Sequence, residues 1–307
     1  AQARLMGPVL EDFEETLRDT GTTNYLKKKG AISFLDSREA FEKEDWKYEL
    51  KEELGFTWEI LGPDELKIKV PEMDIGDGVA VFNPDWQHTI NPGEMTAEIA
   101  RASFSNGATW LRDKVKSVTA GESGVSLQTE SGSNLEADGL VIAAGAWSNQ
   151  LVKQLDYQVP MTAKRGYHSM IGEPGLELEY PVMSMDRGFV MTPMAEGLRL
   201  AGTAEFAKLD AEPDYQRARV LVEHAKRYLP GLQCQGVSEW MGQRPMMADS
   251  LPIISPSPSR DNVYYAFGHG HYGLTQGPTT GKIIRSLVAG QAPELDIHDY
   301  RFERFKK

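Results

Sequence analysis

The sequence has 307 residues, of which 40% are hydrophobic and 25% are charged, and its formal net charge is −12. Such a chain is long enough for one large or two smaller folded domains, and its negative charge argues against general binding of nucleic acids. Cys234 is the single cysteine, which excludes an intrachain disulfide and a cysteine metal cluster.

The first third of the sequence predicts regular structure without readable chemistry. Its patterns indicate a helix over about residues 8–20, a strand over 31–35 and a charged helix over 38–54. No apolar stretch is long enough for a membrane span, and the opening residues lack the basic start and apolar run of a signal peptide. We therefore expect a cytoplasmic protein, with peripheral association at the inner membrane as the alternative.

The middle of the sequence predicts a helix followed by a hairpin. Asn91 is a suitable N-cap, Pro92 suits the first helical position and Glu94 follows three residues after the cap, while Asn106 and Gly107 end the pattern. Residues 114–119 and 125–129 then predict two strands, joined by a turn over 121–124.

The segment 139–143 is apolar without alternation, which is typical of a parallel strand covered on both faces. It ends in small residues at Ala144 and Gly145 before a predicted helix, an arrangement that lets a ligand approach the backbone and the helix N-terminus. The alternative is a tight strand-to-helix turn without a ligand. Further on, residues 215–229 predict an amphipathic helix, and a last helix is expected to start near Pro278.

Arg244 lies in the segment Gly242-Gln243-Arg244-Pro245, where a proline stiffens the chain. A guanidinium group held in this way suits bidentate capture of a substrate carboxylate. The alternative is a surface arginine or a structural ion pair.

A glycine-rich segment over 267–278 precedes the last predicted helix. Its glycines clear space for a flat ligand, and the N-terminus of the helix supplies a positive potential. The other readings are a glycine loop without function and a metal site through His269 and His271, for which no cysteine or acidic ligand lies close in the sequence.

Four segments, in their order and spacing, resemble blocks of the FAD-dependent D-amino-acid oxidase family, which includes glycine oxidase and bacterial D-amino-acid dehydrogenase. They are DGLVIAAGAWS, RGFVMTPMAEGLRLAGTAEF, GQRPMMADSLPIIS and YYAFGHGHYGLTQGPTTGKII. The resemblance implies an α/β fold in which an FAD/NAD(P)-binding Rossmann-like domain is interleaved with a mixed-sheet α+β substrate domain. We expect residues 1–20, 91–150 and 240–307 in the FAD-binding domain, and residues 21–90 and 151–239 in the substrate domain.

The resemblance also implies the residues of a site. Arg244 matches the carboxylate-binding arginine of the family, and His271 falls where glycine oxidase has a second substrate-binding arginine. The expected substrate-site residues are Arg244, His271, Tyr272 and Tyr167, although Tyr167 also fits a buried structural role. The expected cofactor-binding residues are Val115, Ala144, Gly145, Gly268, Gly270, Gly273, Leu274 and Thr275.

The implied activity is removal of hydride from a D-amino acid, or from a related secondary or cyclic amine, to FAD, with oxygen or a quinone as the electron acceptor. The family begins with a strand, a G-x-G-x-x-G turn and a helix that hold the FAD pyrophosphate. The front of this sequence has no such pattern, so we expect the N-terminal βαβ segment to be missing and FAD binding by this chain to be weak or absent. The alternatives are a catalytically inert fragment, with self-association through its exposed surface, and a metal-dependent hydrolase.

Overall fold

A computed structural model describes residues 1–122 and 124–306. The α-helices are α1 (Gln2–Met6), α2 (Val9–Asp19), α3 (Arg38–Lys43), α4 (Asp45–Glu53), α5 (Pro63–Lys69), α6 (Pro92–Ser105), α7 (Ser148–Val152), α8 (Gln216–Tyr228) and α9 (Gly273–Val288). The strands are β1 (Leu26–Lys27), β2 (Ala31–Leu35), β3 (Glu59–Leu61), β4 (Val79–Asn83), β5 (His88–Thr89), β6 (Val115–Gly121), β7 (Gly124–Thr129), β8 (Asn134–Ala137), β9 (Leu140–Ile142), β10 (Met161–Glu173), β11 (Val182–Ser184), β12 (Phe189–Met194), β13 (Gly197–Phe206), β14 (Gln235–Met247), β15 (Ile253–Pro256) and β16 (Val263–Phe267). Short 3-10 helices lie at Thr23–Tyr25, Gly145–Trp147, His298–Tyr300 and Phe302–Phe305.

The largest sheet is mixed and has the strand order β14-β10-β13-β12-β11-β2-β4-β3. Its long strands β10, β13 and β14 are antiparallel, whereas β11 and β2 are parallel. Helix α8 covers one face of the long strands, because its apolar stripe of Ala218, Leu221 and Ala225 is buried against them. The opposite face of the long strands is therefore available for a site.

A smaller sheet has the order β15-β16-β9, with β9 parallel to β16 and β15 antiparallel to it. The predicted parallel strand is thus confirmed in type. The prediction that both of its faces are covered is wrong, since Val141 is 40% exposed. One face of β9 is covered, since Ile142 is 2% exposed, whereas the face that carries Val141 is not.

Several predicted elements are confirmed within a residue or two. Strand β2 occupies residues 31–35 as expected, and α8 begins and ends one residue inside its predicted range. The Asn91 side chain accepts a hydrogen bond from the Glu94 N–H at 3.0 Å and so caps α6. The β6–β7 hairpin forms, although Ser123 of its predicted turn lies outside the described residues.

Two helix predictions are wrong in their bounds. The predicted helix over 38–54 is divided at Glu44, whose backbone leaves the helical region, into α3 and α4. The last helix begins at Gly273, five residues before the predicted start at Pro278. Pro278 therefore lies inside the helix, where it lacks the N–H that would bond to the Leu274 carbonyl and its ring crowds that carbonyl.

The predicted division into two domains stays a prediction. Strand β14 continues without interruption from Gln235 to Met247 and so crosses the expected boundary between residues 239 and 240. Within the described residues, none of the helices has both the length and the apolar character that crossing a membrane requires.

Candidate functional site

The paired strands β10, β13 and β14 present a row of cations on the sheet face opposite α8. In the register of β10 with β14, Lys164 lies opposite Arg244, Gly166 opposite Gly242 and His168 opposite Trp240. Successive side chains of a strand point to opposite faces, so these residues share one face with Arg199 of β13, whose partner on β10 is Met170. We call this face the cationic face; it carries Lys164, Gly166, His168, Arg199, Trp240, Gly242 and Arg244.

Arg244 is half-buried on this face, and its guanidinium group lies over Gly166. A Cβ atom built at residue 166 would lie 2.1 Å from the guanidinium carbon, so the glycine provides the space for the head group. Among the described residues, no carboxylate or other acceptor engages this guanidinium. Burial lowers the pKa of Arg244, but an arginine keeps its charge. The group is thus a positioned cation suited to an anionic ligand.

The acidic side chains of the same strands lie on the other face of the sheet. Glu205 accepts a hydrogen bond from the Tyr167 hydroxyl at 2.6 Å, and Glu239 forms an ion pair with Arg219 of α8 at 2.7 Å. The positive charge of the cationic face is therefore not neutralised by them.

The glycine-rich segment after β16 is hydrogen-bonded to β14 directly beside Arg244. The Gly270 N–H donates to the Pro245 carbonyl at 3.0 Å, and Met246 forms a β-bridge with His269. Gly268 and Gly270 have φ angles of 88° and 57°, in the left-handed region that favours glycine. The backbone therefore fixes the predicted cofactor loop against the predicted carboxylate-binding strand.

The two histidines of the loop make different contacts. His271 Nε2 lies 3.4 Å from Lys164 Nζ, and partial burial followed by the charges of Arg244 and Lys164 lowers its pKa. His269 Nε2 lies 2.9 Å from the Thr280 hydroxyl, and burial lowers its pKa to about 4. The described residues contain no cluster of three metal-ligating side chains around either of them.

The predicted cofactor-binding residues at 144–145 and 268–275 gather at one edge of the smaller sheet. Because β9 and β16 are parallel, Ala144 and Gly145 follow β9 at the edge where Gly268 follows β16. Gly145 has a φ of 54° and open space beside its Cβ position. Gly273, Leu274 and Thr275 form the first turn of α9, whose N–H groups have no partner within the helix.

These features fit a dinucleotide with a flat ring. A planar group can approach closely, because one glycine at the strand end has open space beside it and the glycine loop is left-handed. The accessible helix N-terminus favours negative charge at the same place. Tyr272, immediately before α9, is 46% exposed and lies beside the same edge.

Tyr167 and Val115 are not brought into this arrangement by any described contact. Tyr167 is 1% exposed and lies on the α8 face, where its hydroxyl binds Glu205 and accepts a hydrogen bond from the Asp214 N–H. Val115 is the first residue of β6, which belongs to the separate β6-β7-β8 sheet. The Val118 N–H of this strand donates a hydrogen bond to Oε1 of Gln154, in the segment after α7. Their assignment to the site stays a prediction.

Arg199, His168 and Trp240 are among the residues of the cationic face that the sequence analysis missed. Arg199 is largely buried, and its Nε has no hydrogen-bond partner among the described residues; the same holds for Nδ1 of His168. Burial, and then the charge of Arg199, lowers the pKa of His168 to about 4. Trp240 stacks on the His168 ring with a centroid distance of 5.1 Å. The alternation of Trp240, Gly242 and Arg244 along one strand is the signal that could have placed Trp240 beside the arginine.

Comparison with known proteins identifies the protein family to which this chain is related. The family described as FAD dependent oxidoreductase (DAO) matches residues 1–287. A D-amino-acid oxidase of Bradyrhizobium diazoefficiens is 31% identical over 292 residues, which cover 94% of this chain and 69% of that protein. A D-amino acid dehydrogenase of Paramagnetospirillum magneticum is 27% identical over 230 residues, and the match spans about half of that relative, 54%.

A solved structure has the same fold. The glycine oxidase of Geobacillus kaustophilus superposes with a TM-score of 0.83 at 24% identity, covering 99% of this chain and 81% of that one. At this identity the likeness concerns the fold, and the mixed sheets described above agree with it.

Proposed function

This chain belongs to the FAD dependent oxidoreductase (DAO) family, and we propose that it serves the oxidation of a D-amino acid or of a related secondary or cyclic amine. The observation that carries the proposal is Arg244. Its guanidinium group is half-buried, has no acidic partner among the described residues and lies on the strand to which the glycine loop is hydrogen-bonded. A carboxylate bound there would bring the α-carbon of an amino acid next to the edge that fits the cofactor.

The residues that would hold FAD are those at the edge of the smaller sheet. Ala144, Gly145 and Gly268 would admit the dinucleotide, while the first turn of α9 would donate N–H groups to it. The role of Val115 beside the adenine follows from the family resemblance alone. When bound, FAD supplies the chemistry of accepting a hydride from the α-carbon of the amine.

The contribution of the protein itself is orientation. Arg244 would bind the carboxylate bidentately, and His271 would stand beside it with a pKa that burial and the charges of Arg244 and Lys164 lower, so that it adds no further cation at pH 7. Tyr272 would close the exposed side of the site. No dedicated general base is needed, because a neutral amine that loses hydride becomes an iminium ion, which water then hydrolyses; a primary amino acid gives a 2-oxo acid and ammonium in this way.

The test is turnover of a panel of D-amino acids and cyclic amines by the purified chain with added FAD, with oxygen and a soluble quinone compared as acceptors. We expect Arg244→Met to raise KM by roughly a hundredfold, because a charge-assisted bidentate pair is lost. The matched control is Arg219→Met, which removes an exposed arginine on the other face of the sheet. An unchanged KM for Arg244→Met would remove this residue from the site, and absence of turnover with every amine would favour the inert alternative.

A further inference from the structure

The cationic face contains a second arginine for which the proposed reaction has no use. Arg199 is largely buried, with its Nε unsatisfied, and no acid of the described residues forms an ion pair with it. Burial, followed by repulsion from Arg244, lowers the pKa of Arg199. Both guanidinium groups lie on the cationic face, and each keeps its charge. Holding two cations in this way is unfavourable unless a ligand supplies negative charge.

The surroundings of Arg199 separate it from the carboxylate position at Arg244. Arg199 is in register with Met170 of β10, whereas Arg244 is in register with Lys164 and extends over Gly166. The register position between Met170, the partner of Arg199, and Gly166 is that of His168 and Trp240, whose rings stack on each other. The indole of Trp240 lies over Gly242. A Cβ atom built at residue 242 would lie 2.1 Å from Cη2 of the indole, so the glycine provides the space for the ring.

This arrangement has the form of two arginine ends with an uncharged aromatic floor between them. His168 is neutral at pH 7 because its pKa is about 4, so the floor itself brings no charge. The indole of Trp240 is 53% exposed and can cover a short carbon chain. One guanidinium group is sufficient for one carboxylate, since two N–H groups of arginine match its two oxygens.

We propose that Arg199 binds a second acidic group of the substrate, so that the site selects amines whose side chain or N-substituent ends in a carboxylate. This inference rests on the proposed function, because it takes Arg244 as the receptor of the first carboxylate. Arg199 would then determine specificity, and the stacked pair of Trp240 and His168 would support the chain that joins the two acidic ends.

The experiment measures binding of unreactive carboxylic acids to the FAD-supplemented protein by calorimetry at constant ionic strength. The probes are matched pairs in chain length: glutarate with pentanoate, and adipate with hexanoate. These acids carry no amine and cannot be oxidised. We expect at least one diacid to bind about tenfold or more tightly than its monoacid, the gain of one further charge-assisted contact.

The variants assign that preference to the arginine. Arg199→Met should reduce the diacid preference to within about twofold while pentanoate binding stays as in the wild type, and Arg199→Lys should retain part of the preference. Arg244→Met should weaken both acids of each pair, and Arg219→Met should behave as wild type. Melting curves of all variants verify folding, and Arg199→Lys remains informative if the methionine variant is unstable.

Three results would overturn the inference. A diacid preference that survives in Arg199→Met, or is absent from the wild type, would show that Arg199 binds no second group. Equal loss of monoacid and diacid in Arg199→Met would mean that both arginines hold one carboxylate. If amines are oxidised in an Arg244-dependent manner while any of these results is found, the proposed function stands and only this inference fails. If no acid binds and no amine is oxidised, both fail.

Discussion

The guanidinium group of Arg244 occupies the space that a side chain at residue 166 would fill. A Cβ atom there would lie 2.1 Å from Cζ and Nη2 of Arg244, far inside van der Waals contact. The two residues are not register partners: Arg244 is paired with Lys164, so its side chain extends along the sheet to reach Gly166. The position of the carboxylate receptor therefore depends on a glycine on the neighbouring strand.

Gly166→Ala should displace the Arg244 head group and weaken carboxylate binding. We expect the Kd for pentanoate to rise by about tenfold or more, because a bidentate contact tolerates little misplacement. Calorimetric titration of the FAD-supplemented protein with pentanoate measures this change. Gly172→Ala is the matched control on the same strand, since its Cβ would meet the nearest atom, the Gly236 carbonyl oxygen, at an ordinary 3.5 Å. Equal affinities in the two variants would show that Arg244 does not need this space.

The relation between residues 166 and 244 also shows what the sequence could and could not predict. The predictions that depend on local signals were good: Asn91 caps α6 and residues 31–35 form β2. Local chemistry, such as a cap or a left-handed glycine, is fixed by a few neighbouring residues.

The face of a strand is different, because it depends on register with strands distant in the sequence. Tyr167 was expected either in the pocket or in a buried structural role, and the sequence could not decide between them; the alternation of β10 turns its neighbours Gly166 and His168 to the cationic face and Tyr167 to the α8 face. Arg199 was missed because only the pairing of β13 with β10, which contains an irregularity between Gly166 and His168, brings it to that face.

The contact between α2 and α9 depends on a buried carboxylate. Asp12 is 6% exposed and accepts hydrogen bonds at 2.6 Å from both the Thr279 hydroxyl and Lys282 Nζ. Asp12→Ala should lower the free energy of unfolding by about 2 kcal/mol, because it leaves the buried Thr279 hydroxyl without its acceptor. Urea denaturation measures the loss.

Glu15 provides the comparison for Asp12, because it binds the same Lys282 ammonium group but is 44% exposed. Glu15→Ala should cost less than about 1 kcal/mol, as is typical of an exposed ion pair. If both substitutions cost the same, the attraction to Lys282 and not the buried contact with Thr279 would account for the effect of Asp12.

His269 should make the fold sensitive to acid. Burial lowers its pKa to about 4 in the folded protein, below the usual 6.5, so between these values the unfolded chain binds a proton that the folded chain does not. Stability is therefore fully present above pH 6.5 and is lost as the pH falls toward 4, by at most about 3 kcal/mol for a shift of this size. Urea denaturation at pH 7.5, 6.0 and 5.0 measures the slope.

His269→Gln should flatten this pH dependence, because glutamine does not titrate and can still bind the Thr280 hydroxyl. His298→Gln is the matched control at an exposed position. His168, whose pKa is also lowered to about 4 by burial and by Arg199, should contribute in the same direction and remains in both variants. A wild-type slope in His269→Gln would show that protonation of His269 is not what destabilises the fold.

Arg165 should hold the segment between β13 and α8 in place. Its side chain is fully buried, donates to the carbonyl groups of Lys208, Ala211 and Glu212, and lies 3.7 Å from Glu205. Arg165→Met would leave these acceptors without their donor and Glu205 without its nearest buried cation. We expect amide exchange in residues 207–215 to accelerate by at least about tenfold and the fold to lose about 3 kcal/mol.

The comparison for Arg165 is Arg217→Met, because Arg217 also lies near Glu205, at 3.8 Å, but is 40% exposed. Hydrogen exchange followed by mass spectrometry should find the 207–215 segment nearly as protected in Arg217→Met as in the wild type. If the two variants exchange alike, the charge near Glu205 would explain the effect and the three carbonyl contacts would not. Faster exchange in Arg165→Met alone would show that the buried Arg165 donors order the 207–215 segment. This segment includes Asp214, whose N–H donates to the Tyr167 hydroxyl.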